Sequence, residues 1–126
     1  MSKISVREKA KLKLCYNAIV DKKAMDVRVL DLRGISSIAD FFMICEGSST
    51  RQVEAISTNV GKVLRDNGMK QFHVEGKGQG TWVLMDCKDI IIHVFQSDVR
   101  KFYALENLWV DASVLGADEI ESWKVN

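Results

Sequence analysis

The sequence has no proline, and no serine- or glycine-rich stretch stands in as a linker. No internal repeat occurs either. Nothing marks a domain boundary, so the 126 residues are read as a single domain, 1–126. A domain of that length buries roughly two thirds of its unfolded surface, enough to dispense with a disulfide or a metal. No apolar run reaches the ~20 residues of a spanning helix. The charged fraction, 28%, is also too high for a membrane protein. The N-terminal stretch, residues 1–14, is basic but lacks an apolar core and a small-residue cleavage site, so it is not a secretory signal. Its acidic Glu8 and scarcity of serine weaken a transit-peptide reading. Cysteine is sparse: Cys15, Cys45 and Cys87 are odd in number, widely spaced and set in apolar runs. That pattern predicts buried, reduced thiols and a cytoplasmic protein rather than a disulfide framework.

A large charge of one sign is missing too, the formal net charge being +1. Proteins that hold bare nucleic acid nonspecifically carry a large basic excess, so little or no direct nucleic-acid binding is expected. The charge is polarised, however. Lys3, Arg7, Lys9, Lys11, Lys13, Lys22 and Lys23 crowd the start, while Glu106, Asp111, Asp118, Glu119 and Glu121 crowd the end. Both are read as solvated faces. The functional alternative for the basic cluster is a weak phosphate contact.

What is present is periodicity. Val6, Ala10, Leu14 and Ala18 recur at helical spacing and predict a helix over 6–23. Alternation over Met25–Leu32 predicts a strand. The run Phe41–Cys45 predicts a strand buried on both faces. Ser49 with Gln52 fits a capping box. Val53, Ile56, Val60, Val63 and Leu64 continue it as a helix that Gly68 stops. Three strands follow, Gln71–Val74, Thr81–Met85 and Asp89–Phe95, the last two joined by a hairpin turn at Asp86–Lys88. Ser97 is placed as the cap of a third helix from Asp98, with Val99, Phe102, Leu105 (or Glu106) and Trp109 on its face. The stretch from about 111 is an acidic, weakly patterned tail that is expected to fray. The order α-β-β-α-β-β-β-α predicts an α/β (α+β) fold: a mixed sheet of about five strands with flanking helices.

Most chemical motifs fail on context. The glycine-rich loop Gly76–Gly80 leads into a strand instead of a helix, unlike a phosphate loop. Gly47-Ser48-Ser49, between a strand and a helix, matches the entry to a polymerase-β-type nucleotidyltransferase site. That chemistry also needs a carboxylate pair to hold two metal ions. No Asp-x-Asp lies between Ser49 and Asp98. His73 and His93 have no partner at helical spacing and the cysteines form no C-x-x-C, so no metal or other cofactor is expected. Trp82 is the exception. Alternation sets Trp82 and Leu84 on one sheet face and Val83 and Met85 on the other. If Val83 faces the helices, Trp82 becomes a core residue of the opposite face or an interface anchor ringed by Glu75 and Asp86.

Five separated motifs, at 30–53, 74–76, 80–86, 89–95 and 100–109, occur in the order and spacing of one family over about Ala10–Asp111. The sequence resembles the RsfS/Iojap ribosomal silencing factors. The resemblance implies a nucleotidyltransferase-like fold without transferase activity and, when free, a homodimer. It also implies docking on the fourteenth ribosomal protein of the large ribosomal subunit, which sterically blocks joining with the small subunit and represses translation. A role in large-subunit assembly is the alternative, and an enzyme that binds nucleotides on the same fold is the rival class. Trp82 matches the family's docking tryptophan, with Leu84 and Asp86 beside it. Glu75, Gly76, His93, Arg100 and Tyr103 match other signature positions. For Arg100, near a helix start, a structural pairing with Asp40 is the other expectation. The acidic extension after Asp111 departs from the family pattern.

Overall fold

The computed structural model describes residues 3–103 and 111–124, the side chains of 101–103 excepted. Helix α1, Val6–Asp21, opens on a capping box: Ser5 Oγ accepts from the Glu8 N–H at 3.1 Å, and the Ser5 N–H donates to Glu8 Oε1 at 2.9 Å. Its buried stripe is Leu12, Cys15, Tyr16, Ala18 and Ile19. Of the predicted face only Ala18 is buried, and Val6 is 74% exposed. The bulkier Leu12, Tyr16 and Ile19 decide which face turns inward, because they remove the most apolar area from water.

Strand β1 spans Met25–Asp31 and β2 spans Phe41–Gly47. Helix α2, Thr50–Asp66, buries Val53, Ile56, Val60 and Leu64 as its periodicity predicts. Its capping box is half formed. Ser49 Oγ accepts from the Gln52 N–H, but the Gln52 amide oxygen accepts from the Ser48 N–H at 2.7 Å instead of closing on Ser49. Strands β3 (His73–Glu75), β4 (Trp82–Asp86) and β5 (Ile90–Gln96) follow, then helix α3, Ser97–Tyr103. Ser97 is inside α3 and does not cap it, since its hydroxyl donates to the Gly47 carbonyl. The positions predicted to continue that helix, Leu105, Glu106 and Trp109, lie outside the described residues.

The tail corrects two expectations. It does not fray, and it adds a sixth strand: Ser113–Leu115 forms β6 and Ala117–Ser122 forms a short helix, α4. The order is therefore α-β-β-α-β-β-β-α-β-α. Ile120 and Trp123 are buried in the main core, and Lys13 Nζ donates to the carbonyls of Glu121 and Trp123. The Tyr16 hydroxyl donates to Glu121 at 3.0 Å. The acidic end thus packs on the basic first helix, so part of each "solvated" charge cluster faces the other.

The strands form one mixed sheet in the order β3-β4-β5-β2-β1-β6. Among the described residues only β2 and β5 pair in parallel, and every other pair is antiparallel. The β4–β5 hairpin closes through the Cys87 N–H and the Ile90 carbonyl at 2.9 Å, leaving Lys88–Asp89 as a two-residue loop with Lys88 at φ 75°. One face of the sheet carries the main core with α1, α2 and α4, including Val83 and Met85. The opposite face carries Leu30, Phe42, Ile44, Ile91 and Phe95, with Trp82, Leu84 and Val99 against them. The three cysteines are buried and free. Burial pushes the Cys15 and Cys45 thiols up to about 12 and Cys87 to about 11, so all three stay protonated and unreactive. Among the described residues no helix is long and apolar enough to cross a membrane.

Candidate functional site

Strand register builds the site. On the face away from α1 and α2, Glu75 of β3 lies opposite Leu84 of β4, and Leu84 opposite His93 of β5. The neighbouring rows pair Trp82 with Phe95, and His73 with Asp86 and then Ile91. Because side chains alternate along a strand, Trp82, Leu84 and Asp86 share this face with Glu75 and His93. Trp82 and Leu84 are half-buried, while Glu75, Asp86 and His73 are exposed. The result is an aromatic and an aliphatic side chain set beside two carboxylates at the β3–β4 edge of the sheet. His73 Nε2 lies 3.9 Å from Glu75.

Trp82 is held in place from beneath. Its ring stacks on Phe95, centroids 4.9 Å apart and planes 27° apart. Its Nε1–H donates to His93 Nδ1 at 3.2 Å. His93 is therefore the Nε2–H tautomer. It is only 4% exposed, packed against Phe42 at 4.8 Å, and among the described residues its Nε2 has no hydrogen-bond partner. His93 thus lies behind the surface as the support that fixes the indole. Burial pushes its imidazole down to about 4 from the ordinary 6.5. The folded protein holds the ring neutral where the unfolded chain would protonate it. The stability this contributes is complete above about pH 6.5 and is lost as pH falls from 6.5 through about 4. The urea midpoint should drop over that window more steeply for wild type than for His93→Phe. Parallel acid slopes would remove His93 as the cause.

Gly76 follows β3 at φ 83°, a left-handed conformation. A Cβ there would come within 2.1 Å of the Trp82 carbonyl oxygen. Gly76 thus lets the loop pass against the backbone of Trp82. Gly76→Ala should lose roughly 1–2 kcal/mol from backbone conformation alone, with the displaced carbonyl adding to it. Gly78 is the control: also left-handed at φ 103°, but with nothing within 4 Å of its Cβ. Urea unfolding of the two alanine variants should place Gly76→Ala clearly below Gly78→Ala, and equal losses would contradict the close approach.

The structure separates Arg100 from this group. It is 4% exposed, and its guanidinium donates to the Asp26 carbonyl and to Glu46 Oε1 at 3.2 Å. The expected partner Asp40 is replaced by Asp26 and Glu46, because α3 crosses β5 and β2 and points Arg100 back towards the bulge in β1. Tyr103 is the last described position of α3, and its side chain lies outside the described residues. Sequence reasoning missed the His93–Trp82 hydrogen bond. Its only trace was two polar-capable rings on strands predicted to be hairpin neighbours.

Comparison with known proteins follows the same outline. The family described as "Ribosomal silencing factor during starvation" matches residues 5–125. The ribosomal silencing factor RsfS of Halalkalibacterium halodurans is 45% identical over 111 residues, covering 88% of this chain and 95% of that protein. Its namesake in Bacillus subtilis is 41% identical over 113 residues, covering 90% and 96%. A crystal structure of a Bacillus halodurans protein superposes with TM-score 0.77 at 41% identity, covering 86% of this chain and 98% of the other. A more distant relative in mouse carries the name "mitochondrial assembly of ribosomal large subunit protein 1". It is 29% identical, and the chain spans 40% of its length.

Proposed function

This chain belongs to the RsfS family of ribosomal silencing factors, and from that membership we propose that it binds the large ribosomal subunit through the Trp82 face. Occupying that surface excludes the small subunit by overlap and so represses translation. Steric exclusion needs no bond chemistry, cofactor or energy source, only a stable contact of about 800 Å² per partner. The observation that carries the reading is a half-buried tryptophan, braced by Phe95 and His93, beside the exposed carboxylates of Glu75 and Asp86. An amphipathic aromatic on a rigid strand is the side chain best suited to anchor a protein interface. Two acids beside it favour a basic partner, and ribosomal proteins are of that chemistry. The resemblance legible in the sequence names the fourteenth ribosomal protein of the large subunit as that partner.

The same reading makes the chain a single nucleotidyltransferase-like domain, cytoplasmic, without transferase chemistry, and a homodimer when free. If Trp82 also lies in the dimer contact, docking and dimerisation exclude each other, and sizing chromatography of Trp82→Ala would show a weakened dimer. An unchanged dimer would put the two contacts on different surfaces. The name of the mouse relative favours a second reading, assistance in assembling the large subunit.

Sedimentation of the protein with separated subunits on a sucrose gradient tests the proposal. Comigration with the large subunit alone, with fewer joined ribosomes, is expected. Comigration that leaves joining unchanged would favour the assembly reading. No comigration at all would refute docking.

A further inference from the structure

A groove of about 1220 Å³ runs along the first half of α1, between the α2–β3 connection and the β4–β5 hairpin. Its walls carry Arg7, Lys11, Lys13, Lys70 and Lys88 against only Glu8 and Asp89. The whole chain carries a net charge of +1, so most of its cationic excess is gathered in one place. Both groove acids are already engaged. Asp89 pairs with Lys11, which also donates to the Cys87 carbonyl at 2.7 Å, and Glu8 accepts from the Ser5 N–H. Lys13 is taken up by the carbonyls of the C-terminal segment. Arg7, Lys70 and Lys88 are exposed and, among the described residues, form no ion pair. They come from three separate elements and face one channel. Lys88 is presented from a left-handed hairpin position, φ 75°, where Asn or Gly is the usual occupant.

We propose that this groove holds the phosphate backbone of double-helical RNA. The groove exceeds the ~300–1,000 Å³ of small-molecule sites, which suits a large polyanion. Its lining has no aromatic side chain. That disfavours single strands, which bind by stacking bases on aromatic rings. Asn17 and Gln71 add exposed amides that can donate to phosphates and exchange hydrogen bonds with 2′-hydroxyls. The groove borders the proposed docking face, since the Lys88 N–H donates to Asp86 Oδ1 at 3.0 Å. The two sites lie on opposite sides of the sheet and meet at the β4–β5 hairpin, so a surface of ribosomal protein and RNA would reach both by wrapping that hairpin.

The test is fluorescence anisotropy of the full chain with a labelled RNA hairpin of generic sequence, its stem about 16 base pairs. It contains no ribosome, so its outcome is independent of the docking proposal. Binding is expected at low salt, with log affinity falling against log salt at a slope of about −3 for three phosphates. Arg7→Glu/Lys70→Glu should weaken it at least tenfold, and so, more modestly, should Lys88→Asn, which keeps a residue tolerant of the left-handed turn. Trp82→Ala should leave it unchanged. No binding, binding insensitive to these changes in variants that circular dichroism shows folded, or displacement by polyglutamate as readily as by unlabelled duplex would each overturn the proposal.

Discussion

Trp82→Ala is expected to weaken binding to isolated large ribosomal subunits by about 30-fold or more. Truncating an interface anchor costs roughly 2 kcal/mol or above, and each 1.4 kcal/mol is tenfold in affinity. The geometry raises that cost in a second way. The indole is fixed by its stack on Phe95 and its hydrogen bond to His93, so it meets a partner already ordered. Trp82→Phe separates the two contributions. It retains a ring over Phe95 but removes the donor to His93 Nδ1, leaving a buried acceptor unmatched. Titration of labelled protein against large subunits should rank the affinities wild type, then Trp82→Phe, then Trp82→Ala, with urea unfolding run in parallel. Wild-type affinity in a folded Trp82→Ala protein would remove this face from the docking surface.

The second large effect is on folding. Arg100→Met should destabilise the protein by about 3 kcal/mol, the low end of the range for breaking a buried ion pair from one side. The low end applies because Asp26 keeps much of its hydration, whereas Glu46 does not. Arg100 ties α3 to two strands at once, through the Asp26 carbonyl in β1 and the Glu46 carboxylate in β2. Pairing the change with Glu46→Gln should recover part of the loss, since the carboxylate that then remains, Asp26, is exposed to water. A loss under about 1 kcal/mol in urea, or no recovery in the double variant, would mean that Arg100 is not the clamp its contacts describe.

These two residues mark what sequence can and cannot convey. Alternation alone separates Trp82 and Leu84 from Val83 and Met85, and the structure decides which pair goes where: Val83 and Met85 enter the helix-side core while Trp82 and Leu84 face away. For Arg100 the sequence offers only its place near a helix start, from which Asp40 is one carboxylate it could pair with. Its true partners are fixed by how α3 crosses the sheet. The first helix shows the same limit at smaller scale. Its extent was legible, but its buried stripe was read one face off, since side-chain volume and not apolar spacing alone chose the contact.

Local chemistry determined by the sequence includes the start of α2 at Ser49, its stop at Gly68, the β4–β5 hairpin, the buried cysteines and the two-sided alternation of β4. Each depends on residues within a few positions of one another, where backbone preference and side-chain period act directly. Tertiary structure alone decided the sixth strand, the seating of the C-terminal segment on α1, the His93 support beneath Trp82 and the basic groove. Ser113–Leu115 is a strand because β1 offers it an edge. Arg7, Lys70 and Lys88 form one charged wall because three distant segments converge. Such features are sums over residues far apart in the chain, and only packing sets the distances at which Coulomb and hydrogen-bond energies act.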